Sequence, residues 1–286
     1  MQPKITAVLV LYGMPLEQST CFLTLRQVLQ SPADTGELNL LVYDNSPEPS
    51  GEAAFPAELT YRHDASNGGV AAAYNAGLQQ ARAHGSQWLL LLDQDTALTG
   101  AYLDELRECT ASVPSEVVAI IPRLAEDGET HSPQTLPRLS HRALPESLMG
   151  LLSMKVSVFN SGAALRVSAV QRFPERYWLD FLDHAIFHEL QAAGGRVWLM
   201  RTRLEHRLST QRLGEDASLA RYLNVLQAER DFYREYGSPG AVVFYRLRRV
   251  KQTVGHLLKV RDKGFALLSA RAAFGLLPAT PRRSTT

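Results

Sequence analysis

Short apolar runs alternate with longer amphipathic segments along the first two thirds of the chain. Each run is too short for a membrane span and ends at polar or turn-forming residues, as expected of strands buried in a sheet. This pattern predicts strands over 5–12, 38–43, 59–62, 88–92, 117–121 and 197–200. It predicts helices over 16–30, 70–84 and 100–112. The βαβ spacing favours an α/β fold, in which helices flank a mostly parallel sheet.

The pattern becomes less regular in the second part of the chain. Residues 126–145 are rich in Pro, Ser and His and lack periodicity, which predicts a long functional or mobile loop. Residues 156–166 indicate a strand that is broken at 160–162. Residues 178–190 indicate a loop that leads into a helix.

Charge separates the C-terminal region from the rest of the chain. Residues 241–286 contain ten Lys/Arg and one acid, a net charge of +9, whereas the remainder has a net charge of −8. The chain is predicted to be helical from 216 onward, which divides it into a domain over 1–215 and a basic helical extension over 216–286.

Within that extension, apolar residues recur every three or four positions among the basic ones. They are Phe244, Leu247, Val250, Val254, Leu257 and Leu258. A basic amphipathic helix of this kind is typical of proteins that lie on an anionic membrane surface. The alternative is a helix packed on the first domain or on a second subunit, and the pattern leaves both open.

Composition narrows the class of protein further. Cys21 and Cys109 are too few for a disulfide framework or a zinc cluster, and they indicate reduced thiols. No apolar run is long enough for a spanning helix, and the start of the chain lacks a signal-peptide core. These features predict a cytoplasmic protein, with peripheral association at the inner face of the cell membrane through 241–286.

No nucleic-acid recognition motif accompanies the positive charge of the C-terminal region, so nucleic-acid binding is not expected. The oligomeric state stays open.

Two acids follow the strand predicted over 88–92. Asp93 ends that apolar run and Asp95 comes two residues later. Because ligands gather at the carboxyl ends of parallel strands, an Asp-x-Asp pair at this edge is placed to bind a hard divalent cation and phosphate oxygens. The alternative is that Asp93 and Thr96 only cap the next helix.

Five blocks in this order carry a resemblance to a known family. They are Asp44-Asn45, Asn67-Gly68-Gly69, Asn75 with Gly77, Asp93-Gln94-Asp95, and the 178–185 segment that precedes a Gly-Gly turn. Together they resemble the family 2 glycosyltransferases, which have a GT-A fold and use nucleotide-diphosphate sugars. Asp-Gln-Asp is similar to the bacterial rhamnosyltransferase branch, which builds O-antigen and other surface polysaccharides.

The resemblance implies a donor half over about 1–100. Asp44 would accept a hydrogen bond from the donor base, while the Asn67-Gly68-Gly69 turn and Asn75 would shape the pocket around base and ribose. Tyr12, at the end of the first strand, belongs to the same group. Asp93 would contact the ribose or donor sugar, and Asp95 would bind Mg²⁺ or Mn²⁺.

The resemblance implies an acceptor half over about 101–215. Asp183 would be the general base, with Asp180 as a weaker candidate that contacts the acceptor together with Trp178. Gly162 would allow close approach of the sugar, and an ordinary bulge is the alternative. His206 would complete the metal site or touch the diphosphate.

Other residues carry weaker expectations. His184 and His188 share a helix face without a metal-ligand set and are expected at the surface. Arg230 is a weak match to an arginine of the rhamnosyltransferases.

The function implied is inverting transfer of a sugar, most specifically rhamnose from dTDP-rhamnose, to a glycan or lipid-linked glycan. One alternative is a UDP-sugar donor in the same fold. Another is a non-catalytic nucleotide-sugar-binding or scaffold module. A nucleotidyltransferase is disfavoured, because Gly13-Met14-Pro15 is not a basic Gly-rich loop.

Overall fold

The computed structural model describes residues 3–30, 38–51, 53–136, 142–206 and 218–279. The chain divides into two compact units. The first comprises Met1–Thr135 and Ala143–Arg207, and the second comprises Leu136–Arg142 and Leu208–Thr286. The boundary predicted at 215/216 lies outside the described residues.

The first unit is an α/β structure, as the sequence pattern predicts. Its strands are β1 (Ile5–Leu11), β2 (Leu38–Asp44), β3 (Glu58–His63), β4 (Trp88–Asp93), β5 (Val117–Glu126), β6 (Glu129–Ser132), β7 (Gln134–Thr135), β8 (Gly150–Leu151), β9 (Val156–Ser157), β10 (Ala163–Arg166) and β11 (Arg196–Glu205). Its helices are α1 (Thr20–Val28), α2 (Gly69–Ala83), α3 (Gly100–Ser112) and α4 (Leu182–Ala192). Short 3₁₀ turns cover Leu16–Gln18, Val167–Ala169 and Glu175–Tyr177.

The main sheet among the described residues has the order β3-β2-β1-β4-β10-β5-β11-β8, and β6 pairs with β5. Strands β3, β2, β1 and β4 are parallel, as are β5 and β11. Strand β10 runs antiparallel between β4 and β5. The apolar residues of β1 and β4 are buried, because helices and loops cover both faces of the sheet. Helix α2 packs closely on β1, since a Cβ at Gly77 would lie 2.8 Å from Val8 Cβ.

The predicted loop over 126–145 is wrong in its first part. Strand β5 continues to Glu126, and β6 returns from it through Asp127-Gly128, both with positive φ (51° and 82°). Asp-Gly is the turn that favours a two-residue hairpin, and it outweighs the lack of apolar periodicity in β6. Residues 137–141 of the predicted loop lie outside the described residues.

Strand β11 is also longer than the predicted 197–200. It continues through Arg201, Thr202 and Arg203, where a register shift against β5 interrupts the ladder. The Glu105 carboxylate of α3 accepts hydrogen bonds from Arg201 N (2.7 Å) and Thr202 N (2.9 Å) at this break. The backbone donors at the break are thereby satisfied, and β11 resumes pairing as far as Glu205.

The second unit is helical, as predicted. Its helices are α5 (Leu219–Tyr236), α6 (Pro239–Lys259) and α7 (Gly264–Ala273). Tyr222 and Leu226 of α5 pack with Phe265 of α7 in a small apolar core. Arg230, the weak match to a rhamnosyltransferase arginine, is buried here and donates to Pro278 O at 2.8 Å. The structure therefore gives Arg230 a packing position in this unit.

Candidate active site

The carboxyl ends of three parallel strands meet at one edge of the sheet. Leu11 of β1 is in register with Asp44 of β2, and Val10 is in register with Asp93 of β4. Parallel strands point their carboxyl ends the same way, so the polar residues that end β1, β2 and β4 are gathered here as the sequence predicts.

Asp93, Asp95 and His206 form a cluster at this edge. One ligand atom from each lies within 4.8 Å of the others, and His206 Nδ1 is 3.6 Å from Asp95 Oδ1. Two carboxylates and an imidazole suit Mn²⁺, and the carboxylates also suit Mg²⁺. The predicted pair Asp95 and His206 is thus brought together, and Asp93, expected at the sugar or ribose, joins the same cluster.

Buried hydroxyl groups hold this cluster in place. Thr96 Oγ1 hydrogen-bonds His206 Nδ1 at 2.9 Å and also contacts Ser161 Oγ. Thr96 and Ser161 are both fully buried. Hydrogen bonds of this kind fix the orientation of a ligating imidazole, so the site has support behind its donor atoms. The alternative role of Thr96 as a helix cap is wrong, because Thr99 caps α3.

Burial raises the pKa of Asp93, and the negative charges of Asp95 and Asp183 raise it further. The His206 imidazole and a hydrogen bond from Ser161 act in the opposite direction. Carboxylates that lie close together repel one another, and a bound cation strongly relieves that repulsion. This electrostatic arrangement agrees with the donor set in favouring a bound divalent ion.

Asp183 lies in the first turn of α4, where the helix N-terminus favours negative charge. The residue that precedes the helix is Phe181, with φ of +62°, so neither Asp180 nor Asp183 is its N-cap. Asp183 Oδ1 accepts a hydrogen bond from His184 N at 2.8 Å. The negative charge of Asp183 also raises the pKa values of Asp93 and of buried Tyr74, so Asp183 acts electrostatically on the cluster.

The Asn67-Gly68-Gly69 turn contacts the segment that leads to Asp183. Asn67 and Gly69 have positive φ values of 51° and 78°, and α2 begins at Gly69. A Cβ at Gly69 would lie 2.3 Å from the carbonyl oxygen of Trp178, which accepts a hydrogen bond from Ala71 N at 3.1 Å. The predicted donor turn and the predicted acceptor residue Trp178 are therefore direct neighbours.

Asp44 has other partners than the expected donor base. Its side chain is fully buried and accepts hydrogen bonds from Ser46 N (2.9 Å), Ser50 N (2.8 Å) and Tyr61 OH (2.6 Å). Although burial raises its pKa, these hydrogen bonds outweigh that effect and hold the pKa well below its usual range. In this structure Asp44 is a charged anchor for the loop after β2.

Asn75 and Gly162 each have a structural role within the chain. The Asn75 side-chain amide accepts from Phe173 N at 2.8 Å and donates to Phe173 O at 3.0 Å, so it clamps the 170–177 segment. Gly162 is buried with φ of +71°, and a Cβ there would lie 2.8 Å from Leu204. The glycine is therefore needed for close packing against Leu204, and its acceptor contact stays a prediction.

His184 and His188, which were expected at the surface, are each partly buried. His184 is half-buried, and its Nδ1 is 2.7 Å from Ser157 Oγ. Its ring packs on Phe181 at a centroid distance of 4.7 Å. Burial lowers the pKa of half-buried His188. These contacts place His184 beside Asp183, where it helps to fix the start of α4.

Sequence reasoning missed two residues of the site. Tyr74, next to the chosen Asn75, directs its hydroxyl towards Asp93 Oδ1 at 3.4 Å. Gln94 accepts from Tyr12 N at 2.8 Å and donates to Tyr12 O at 3.3 Å. The signal in the sequence that could have indicated Tyr74 was its spacing on the alanine-rich helix. The Tyr12 side chain is exposed and remains available to a ligand.

Comparison with known proteins identifies the family. Residues 22–171, just over half of the chain, match the model of glycosyl transferase family 2. The chain belongs to this family. The matched range includes Asp44, Asp93 and Asp95, whereas Asp183 and His206 lie beyond its end. No curated protein matches the chain in a sequence search.

Solved structures confirm that this family 2 member has the GT-A glycosyltransferase fold. S. aureus TarS 1-349 is 12% identical with a TM-score of 0.57, and the alignment covers 96% of this chain and 81% of TarS. Its complex with UDP-GlcNAc is 14% identical with a TM-score of 0.58, covering 96% and 82%. Mannosyltransferase PcManGT from Pyrobaculum calidifontis, in complex with GDP-Man and Mn²⁺, is 12% identical with a TM-score of 0.55, covering 97% and 88%. At these identities the likeness establishes the fold alone.

Proposed function

We propose that the chain is an inverting glycosyltransferase with a divalent metal site at Asp93, Asp95 and His206 and with Asp183 as its general base. The observation that carries the proposal is the cluster of Asp93, Asp95 and His206 at the ends of β4 and β11. The position of Asp183 in the first turn of α4, and the effect of its charge on the pKa of Asp93, support its role. A nucleotide-binding scaffold would need the metal cluster but no carboxylate at the acceptor side.

The chemistry is a single displacement at the anomeric carbon. Asp183 accepts the proton of the acceptor hydroxyl as its oxygen bonds to the anomeric carbon, and the bond to the β-phosphate oxygen breaks with its electron pair on the nucleoside diphosphate. General-base assistance contributes typically about 10²–10⁴-fold. A metal ion at the Asp93 cluster would neutralise the charge that develops on the diphosphate.

The donor proposed is dTDP-rhamnose, on the resemblance of Asp93-Gln94-Asp95 to the rhamnosyltransferases. Gln94 also clips the backbone of Tyr12, so its presence has a structural reason that is independent of the sugar. Because a similar structure holds UDP-GlcNAc, UDP-sugars form the second donor class. The acceptor proposed is a glycan or a lipid-linked glycan.

Asp183→Asn tests the base. The asparagine keeps the Oδ1 acceptor for His184 N and removes only the charge and basicity. With a donor screen that contains dTDP-, UDP- and GDP-sugars, we expect kcat to fall about 10²–10⁴-fold while donor affinity is retained. Asp180→Asn is the matched control, and it should raise the acceptor KM with kcat largely kept. Full turnover by Asp183→Asn would overturn its assignment as the base.

A further inference from the structure

Helix α6 of the second unit is amphipathic, but its apolar side faces outward. The following apolar side chains of α6 are exposed: Val243, Phe244, Leu247, Val250, Val254, Leu257 and Leu258. We call this set the apolar face. Arg248 and Arg249, on the same helix, are buried. The usual arrangement, in which the apolar side packs on the core, is therefore reversed.

A buried ion cluster holds the helix in this orientation. Glu229 of α5 is 2% exposed and pairs with both Arg248 and Arg249. His256 Nδ1, further along α6, hydrogen-bonds Ser269 Oγ of α7 at 3.0 Å. Turning α6 to bury its apolar face would leave Glu229 without its cations, which is strongly unfavourable.

A buried ion cluster is weak evidence that an arrangement was selected for stability. Well-packed apolar residues in place of a buried ion pair are often neutral or stabilising. The chain instead buries two arginines and exposes seven large apolar side chains on one helix. A contiguous exposed apolar patch of this kind marks an interaction surface.

Apolar exposure continues on α7 and just after it. Leu267, Phe274 and Leu276 are exposed, and Leu276 is 69% accessible. The Cβ position of Gly275 lies 3.7 Å from the Arg246 guanidinium of α6. The end of α7 thus adjoins the first half of α6 and widens the surface beyond a single helical stripe.

The charges around this surface are almost all positive. Over 239–279 the exposed basic residues are Arg246, Lys251, Lys259, Arg261, Lys263 and Arg271. Asp262 is the one acid in that range. A second copy of the chain would bring two sets of like charges together, whereas an anionic surface complements them. Charge complementarity therefore selects the partner.

We infer that the apolar face of α6 and its basic surroundings form a docking surface for an anionic lipid membrane. The helix lies in the interface with its apolar side chains among the acyl chains and its Lys and Arg residues at the headgroups. Among the described residues, no helix has the length and apolarity to cross a bilayer. This inference does not depend on the proposed glycosyl transfer.

The experiment is co-sedimentation of the 286-residue chain with vesicles of phosphatidylcholine alone or mixed equally with phosphatidylglycerol. We expect binding to the mixed vesicles, little to the neutral ones, and release as salt rises. Leu247→Gln/Val254→Gln should abolish binding, since both side chains belong to the apolar face. Arg246→Gln/Lys251→Gln should weaken binding about thirty-fold. Met149→Gln, an exposed apolar residue of the first unit, is the control that should bind as the wild type does.

Three results would overturn the inference. One is equal binding to both vesicle types, and another is no binding to the mixed vesicles by the folded wild type. The third is a stable dimer by light scattering that Leu247→Gln/Val254→Gln dissociates, because the face would then belong to a second copy. Circular dichroism checks folding, and both substituted positions are exposed, so the variants should keep their structure.

Discussion

Gly69 is the residue at which the Asn67-Gly68-Gly69 turn meets the segment that leads to Asp183, and Gly69→Ala tests that contact. A Cβ there would lie 2.3 Å from Trp178 O and 2.5 Å from the indole ring. The backbone φ of +78° is also unfavourable for any residue with a Cβ. The substitution must therefore strain the turn and displace Trp178.

The expected loss of stability in Gly69→Ala follows from these two effects. Left-handed backbone costs a non-glycine residue about 1–2 kcal/mol. Overpacking adds about 1–3 kcal/mol, because the nearest atom is backbone and cannot rotate away. Gly85 offers a matched control after the same helix, with φ of +66° and no atom within 4 Å of its Cβ position. Gly85→Ala should show the backbone cost alone.

Urea unfolding and steady-state kinetics measure the two outcomes. We expect Gly69→Ala to lose about 1–3 kcal/mol more of the free energy of unfolding than Gly85→Ala. We also expect its kcat/KM to fall about 10²-fold, because a shift of Trp178 moves Asp183 relative to the donor. Equal stability and equal activity in the two variants would refute the reasoning about this contact.

Three further predictions concern side chains that support the site. Glu105→Gln should lower the free energy of unfolding by about 1–3 kcal/mol in urea, because charge-assisted hydrogen bonds to the β11 bulge are weakened. Thr96→Val should lower Mn²⁺ affinity by about 10–100-fold in calorimetry, because the hydroxyl orients His206. Asp44→Asn should destabilise the fold by more than Tyr61→Phe does, while the selectivity between UDP, dTDP and GDP stays the same.

The pH dependence gives a check on Glu105. Burial raises its pKa, but hydrogen bonds from Thr202 and Arg201 outweigh that effect and leave the pKa below its usual value. Its stabilisation is therefore complete above the unfolded pKa of about 4.3 and is lost as pH falls through the lower folded pKa. Wild type and Glu105→Gln should converge in stability over that range. A stability difference between the two proteins that stays constant down to the lowest pH would contradict this account of Glu105. Unchanged Mn²⁺ affinity in Thr96→Val would contradict the role of Thr96 at the metal site.

The parallel half of the sheet and its acidic edge could be predicted because their signals are local. An apolar run that ends in acids, as at Trp88–Asp95, fixes both the strand and the position of its carboxylates. The hairpin at Asp127-Gly128 was also visible as a turn motif, but its polar second strand lacked the alternation that identifies a strand.

Other features depend on contacts between distant parts of the chain. Asp44 was predictable as a strand-end acid, whereas its partner Tyr61 comes from the neighbouring strand β3. The clamp from Asn75 to Phe173 spans 98 residues, and nothing near Asn75 indicates it. The orientation of α6 is set by Glu229 of another helix, so its periodicity predicted a helix without telling which side is exposed.

The central claim is that this family 2 member binds a nucleotide-diphosphate sugar through the metal cluster. The direct measurement is calorimetric titration of dTDP, UDP and GDP, with and without Mn²⁺, into the wild type and Asp95→Asn. The account predicts metal-dependent binding of one of these nucleotides by the wild type, with the metal dependence lost in Asp95→Asn. If no nucleotide binds the folded wild type with Mn²⁺ present, the claim is contradicted.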